Sequence, residues 1–252
     1  MHYFIITGAS KGLGEGLAIE LLDEKHHLLC IARNESSTLK RMAAARNCPL
    51  DFFLFDLAVS HEIPALCRQV FDKVDTANAE GIYLVNNAGV IHPVGRVESC
   101  PATEVEHHMQ VNLLAPMLLT AEFIRYTKKL SARKRVLNIS SGAASFPYHG
   151  WSSYCTGKAG VDMFTRCVGT EQEDQDHPVE CMGVAPGIID TSMQETIRAT
   201  TDEQFIHRKK FVDYKEKGEL IPAAIAGKRL ARLLLSDDEF RAGEIIDIRD
   251  TY

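Results

Sequence analysis

What this chain has little of narrows the field first. It holds one tryptophan, and its seven cysteines, at 30, 48, 67, 100, 155, 167 and 181, form no Cys-x-x-Cys pair. An odd, scattered set of thiols excludes a disulfide framework and a zinc knuckle and fits reduced thiols inside a cell. There is no basic excess: 28 Lys and Arg stand against 34 Asp and Glu, a net charge of −6. That balance argues against general attraction to nucleic acid or anionic lipid. A long apolar run is missing as well. The most apolar later stretch, 111–124, is interrupted by Asn112, Pro116 and Glu122, and the opening MHYFIITGAS has no basic segment leading into a long apolar one. No membrane span and no secretory leader are expected, and a cytoplasmic location is. Linkers, low-complexity tracts and solenoid repeats are also lacking, so one domain is expected over 1–252, large enough to bury a core without staples.

What is there alternates. Apolar runs at 3–6, 27–32, 52–55, 82–85, 135–139, 179–184 and 244–248 are separated mostly by stretches with apolar residues at helical spacing, such as 13, 17, 18, 21 and 22. Near-continuous runs such as LLCIA and IYLVN suit strands buried on both faces. The expected fold is α/β: a single-domain, doubly wound parallel sheet of about seven strands with helices on both faces. The polar stretch 194–219 breaks the alternation. It is either a helical insertion over a site or a solvated hairpin without a role.

The first strand runs into Thr7-Gly8-Ala9-Ser10-Lys11-Gly12-Leu13-Gly14 and then a helix. Glycines there allow a tight turn, and free N–H groups at a helix start stabilise a pyrophosphate, which points to a dinucleotide. The second strand ends in Arg33-Asn34, where an NAD-selective protein places an acidic residue on the adenosine ribose. Arg33 and Lys11 instead offer two cations to a 2′-phosphate, favouring NADP(H); the alternative is a pair of solvated charges. Asp56-Leu57 at the end of the third strand and Asn87-Ala88-Gly89 after the fourth complete the adenosine side.

Tyr154 alone among the tyrosines has a lysine four residues later, Lys158, on the same helix face. A phenol is a poor acid–base catalyst near neutrality until positive charge favours its ionised form, and Lys158 can supply that charge. Ser141, thirteen residues earlier at the end of a strand, can meet the pair at the sheet's carboxyl edge, where ligands of such sheets bind. Pro116 falls inside a helical pattern from about 104 to 130 and offers no N–H to the Asn112 carbonyl. This is either a distortion that frees the carbonyl for a water or a simple packing kink.

TGASKGLG, NNAG, Asn112, Ser141, Tyr154-x-x-x-Lys158 and Pro186-Gly187, in this order, resemble the short-chain dehydrogenase/reductase family across the chain. Gly150-Trp151, Tyr154-Cys155, Asp190-Thr191, Met193-Gln194 and Asp238-Glu239-Phe240 leading to Asp247 are similar to the sepiapterin reductases and bacterial benzil reductases within it. The resemblance implies Tyr154 as general acid on a carbonyl oxygen, Ser141 as its hydrogen-bond partner, Lys158 on the nicotinamide ribose, and Asn112 holding a relay water. It further implies Pro186, Gly187, Ile189 and Thr191 along the nicotinamide and pyrophosphate, and a lid over about 192–219. The substrate would meet Ser141, Tyr154, Trp151 and Met193, with Asp247 placed as in a pterin anchor. A site apolar around Trp151 and Phe146 is expected. The implied activity is NADPH-dependent reduction of a small-molecule ketone, a pterin side-chain ketone or a vicinal diketone, by a homodimer or homotetramer.

A dinucleotide-sensing protein without turnover is the competing class, against which the intact Ser141, Tyr154 and Lys158 speak. Arg133-Lys134-Arg135 reads as a solvated helix end rather than a nucleic-acid patch. The pairs His26-His27 and His107-His108 share no helix face and read as surface or loop residues rather than metal ligands. Glu171–Glu180 reads as a solvated acidic loop.

Overall fold

The apolar runs become strands β1 (His2–Thr7), β2 (His26–Ala32), β3 (Leu50–Leu54), β4 (Gly81–Asn86), β5 (Arg133–Ile139) and β6 (Glu180–Ala185). Two short strands, β7 (Ile189–Asp190) and β8 (Ile221–Pro222), form a separate parallel ladder, and β9 (Ile245–Asp247) returns to the main sheet. The computed structural model describes residues 1–237 and 241–249, so Asp238, Glu239 and Phe240 of the resemblance lie outside the described residues. The main sheet has the order β3-β2-β1-β4-β5-β6-β9 with every pairing parallel, as the alternation predicts.

Strand periodicity divides the core in two. Phe4 and Ile6 of β1 pack with α1 (Gly12–Glu20), α2 (Ser37–Ala45) and α9 (Ala223–Leu235) on one face. Tyr3 and Ile5 face α3 (Ile63–Phe71), α5 (Ala115–Thr127) and α6 (Ser152–Gln172) on the other. Because both faces are covered, all six β4 residues are buried, which is why this run has no polar alternation. Order reverses between β1 and β4, and the crevice outside their carboxyl ends is where such a sheet binds ligands.

The helix expected from about 104 to 130 is three pieces: α4 (Ala102–Met109), a π turn over Gln110–Leu114, and α5. The Ala115 N–H reaches back five residues to the Gln110 carbonyl, immediately before Pro116. A proline that cannot bond Asn112 removes the rung that would keep the turn tight, so the distortion is real. The insertion is helical too, with α7 (Ser192–Arg198) and α8 (Arg208–Glu216) between β7 and β8. Among the described residues no helix is long and apolar enough to cross a membrane.

Several expectations need correction. Arg133-Lys134-Arg135 is no solvated helix end. Lys134 is buried and donates to the carbonyls of Leu130 and His177, both at 2.7 Å. Arg135 is fully buried, paired with Glu180 and donating to the carbonyls of Leu234 (2.9 Å) and Ser236 (2.7 Å). Both cations satisfy carbonyls at or just past helix ends, a need that charge counting does not reveal. The supposed acidic loop therefore ends inside β6, with Glu180 ion-paired. His108 is fully buried rather than on the surface. His26 and His27 belong to β2, where His27 lies 2.7 Å from Asp51.

Candidate active site

The glycine turn is bolted to the strand beside it. The Thr7 hydroxyl accepts from the backbone N–H groups of Asn87 (2.9 Å) and Ala88 (3.0 Å), and the Asn87 amide donates to the carbonyls of Thr7 (2.9 Å) and Gly8 (3.3 Å). Gly8 (φ +69°) and Gly12 (φ +61°) take left-handed conformations, and a Cβ on Gly14 would collide with the Gly8 carbonyl and the Asn87 amide. Only glycine fits this bend, and it leaves the start of α1 open to an anionic group. The cradle thus suits a dinucleotide pyrophosphate.

From it a cleft of about 490 Å³ runs along the carboxyl edge of the sheet. Gly8, Ser10, Lys11, Gly12 and Leu13 form one end, and Arg33, Asn34, Asp56 and Leu57 flank it. Asn87, Ala88, Gly89, Pro186, Gly187, Ile189 and Thr191 line the middle, and Ser141, Trp151, Tyr154, Lys158 and Met193 line the far end. Three expected residues do not line it. Gly14 and Asn112 lie behind the wall, where Asn112 donates to the Val90 carbonyl (2.7 Å) and accepts from its N–H (2.8 Å). Asp247 is held by Arg249, whose Nε lies at 2.9 Å and Nη2 at 2.5 Å from it, and that guanidinium keeps its carboxyl below the usual range.

Ser141 follows β5, and its hydroxyl accepts from the Ala143 N–H at 3.2 Å, which fixes the turn that presents it. Beside that hydroxyl stands Tyr154, whose phenol is buried on α6. Burial pushes the Tyr154 pKa up, with the Ser141 contact working against it. Lys158 donates to the Ile139 carbonyl at 2.7 Å and lies 5.9 Å from the Tyr154 ring centroid. Burial lowers its pKa to about 8, against the pull of Asp162 one turn on. Desolvation, not the nearby ammonium, therefore governs the phenol in this state.

Phe146 is 66% exposed and does not belong to the wall that was expected of it. The apolar wall is instead an aromatic stack: Trp151 lies parallel to Phe205 (4.5 Å) and edge-on to Phe211 (5.4 Å) and Tyr154 (5.5 Å). Sequence reasoning missed Phe211, Ile197, His107 and Gln194 as lining residues. Aromatics placed on a polar insertion were the available signal for Phe211; His107 had none.

Known proteins share this fold. The short chain dehydrogenase family profile matches residues 2–202. The chain belongs to the short-chain dehydrogenase/reductase family. Among its relatives, the benzil reductase ((S)-benzoin forming) of Bacillus cereus is 41% identical over 248 residues, covering 98% of this chain and 99% of the relative. The sepiapterin reductase of Xenopus laevis is 31% identical over 257 residues, covering 98% and 95%. The crystal structure of the KRED1-Pglu enzyme superposes with a TM-score of 0.82 at 26% identity, covering 98% of this chain and all of that one. This short-chain dehydrogenase/reductase is therefore an oxidoreductase working between hydroxyl carbon and carbonyl with a nicotinamide dinucleotide.

Proposed function

We propose that this short-chain dehydrogenase/reductase is an NADPH-dependent carbonyl reductase whose substrate is a vicinal diketone of the benzil type. The observation that carries it is the meeting of Ser141, Tyr154 and Lys158 at the far end of a cleft that begins in a glycine cradle. The dinucleotide, when bound, supplies the hydride. Gly8, Ser10, Gly12 and Leu13 would hold its pyrophosphate, Arg33 and Lys11 a 2′-phosphate, and Asp56, Leu57 and Ala88 its adenosine side. Gly89, Pro186, Gly187, Ile189 and Thr191 would line the nicotinamide half.

Tyr154 delivers a proton to the substrate oxygen while Ser141 holds that oxygen in place. The Lys158 ammonium stabilises the phenolate left behind, and Asn112, in the π turn, would hold a relay water. Trp151 and Met193 contact the substrate, and residues 192–219 act as a lid whose Phe205 stacks on Trp151 and whose Phe211 meets it edge-on. A diketone is favoured over a pterin ketone on two grounds. The benzil reductase shares 41% of its residues with this chain against 31% for the sepiapterin reductase. Asp247 is engaged by Arg249 and stands off the cleft wall, which weakens it as a pterin anchor. The protein is further proposed to be a homodimer or homotetramer in the cytoplasm.

The test follows reduced-nicotinamide absorbance with NADPH or NADH, offering benzil and sepiapterin in parallel. Benzil turnover with NADPH preferred supports the proposal; sepiapterin turnover at much lower KM reassigns the substrate to a pterin. Dinucleotide binding without turnover of any ketone would move the assignment to a sensor.

A further inference from the structure

One buried imidazole behind the cleft is placed more exactingly than packing requires. His108, on α4, is fully buried, and its Nδ1 lies 2.7 Å from the His92 carbonyl oxygen. A carbonyl only accepts, so Nδ1 must carry the proton. In the neutral ring Nε2 is then a bare acceptor, and it lies 2.9 Å from the Asn112 Nδ2. The amide orientation of Asn112 is determined in the same way. Its Oδ1 is 2.8 Å from the Val90 N–H, which only donates, so Nδ2 carries the two protons that go to the Val90 carbonyl (2.7 Å) and to His108.

These bonds tie α4, the π turn and the 90–92 segment together, and α6 packs against them. Val90 follows Gly89, where a Cβ would stand 3.4 Å from the Asn112 Oδ1 and 3.9 Å from the Lys158 Nζ. On α6, Gly157 leaves the room the imidazole occupies, since a Cβ there would come within 3.3 Å of Nε2. The ring stands edge-on to Tyr154 at 6.0 Å. We propose that His108, as the neutral Nδ1–H tautomer, is a positioning residue that locks the Asn112 amide and through it the Gly89–Val90 backbone beside Lys158 and Tyr154. This rests on the carbonyl-reductase assignment above. Burial, with the Lys158 ammonium and His107 nearby, disfavours the imidazolium, while the His92 carbonyl pulls the other way. Protonation would set an N–H of His108 against an N–H of Asn112 and open the lock.

Two variants and one spectrum test it. His108→Phe keeps an aromatic ring but leaves an Asn112 N–H unpartnered, and should lower kcat by about tenfold or more while NADPH affinity by fluorescence titration stays within about threefold. His108→Gln can donate to His92 and accept from Asn112 through one amide, and should recover kcat to within about threefold of wild type. Wild-type kcat in the folded Phe variant, or a Gln variant as impaired as Phe, overturns the proposal. The imidazole ¹⁵N shifts of the unliganded wild-type protein decide independently of turnover and of whether either variant folds. Protonated Nδ1 with bare Nε2 at neutral pH is expected, and the opposite tautomer or an imidazolium overturns the assignment even if carbonyl reduction is confirmed. If no carbonyl substrate turns over, the same spectrum still tests the lock.

Discussion

The two ends of β5 carry polar side chains with opposite fates. At its amino end Lys134 and Arg135 are buried and turned onto carbonyls at or near the ends of α5 and α9. Beyond its carboxyl end Ser141 meets Tyr154 and Lys158 on the wall of a cleft. Charge alone would rank the first end higher. The structure ranks the second, because polar atoms spent on backbone hold the fold, whereas polar atoms converging on an open volume can act on a ligand.

Substitution at the carboxyl end should cost the most activity. Tyr154→Phe should cut NADPH-driven turnover about a thousandfold, the scale of a lost general acid, with dinucleotide affinity nearly unchanged. Normal turnover would move the chemistry elsewhere. Arg135→Met should do the reverse: kcat per folded molecule stays, and stability falls by about 3 kcal/mol, the low end for a broken buried ion pair because Glu180 is partly exposed. A urea midpoint that does not shift would remove Arg135 from the scaffold. Arg33→Asp should change the preference for NADPH over NADH by about tenfold to a hundredfold, the worth of one charge-assisted contact. Equal effects on both dinucleotides would dismiss the 2′-phosphate role.

Finer tests sharpen the contrast. Lys158 is cationic below its pKa of about 8 and neutral above it, so kcat/KM for reduction should decline as pH rises through about 8. A flat profile across that range would show that its charge is dispensable. The smallest effect is expected from Asp247→Asn, a change of less than about twofold in diketone turnover, since its carboxylate is already engaged by Arg249.

The strands were legible because burial on both faces leaves no room for polar alternation, and the glycine turn because only glycine fits the bend beside Asn87. Pro116 announced the π turn through the hydrogen bond it cannot make. Arg135, His108 and Phe146 were misjudged for a common reason. Whether a polar or aromatic side chain is inside depends on partners distant in sequence: the end of α9 for Arg135, the gap at Gly157 for His108, and the Trp151–Phe205 stack that takes the place expected for Phe146. The β7–β8 ladder is two residues long per strand, below what any periodicity can register.

That ladder sets how such a protein can change. Ile189 pairs with Ile221 and Asp190 with Pro222, so the chain leaves the scaffold and returns to it at one point, with α7 and α8 wholly inside the excursion. Lengthening a loop whose ends are already joined costs little, rising only with the logarithm of its length. The helices over the aromatic wall can therefore change length without disturbing the sheet or the glycine cradle, while their aromatic residues stay tied to Trp151 beside the tyrosine.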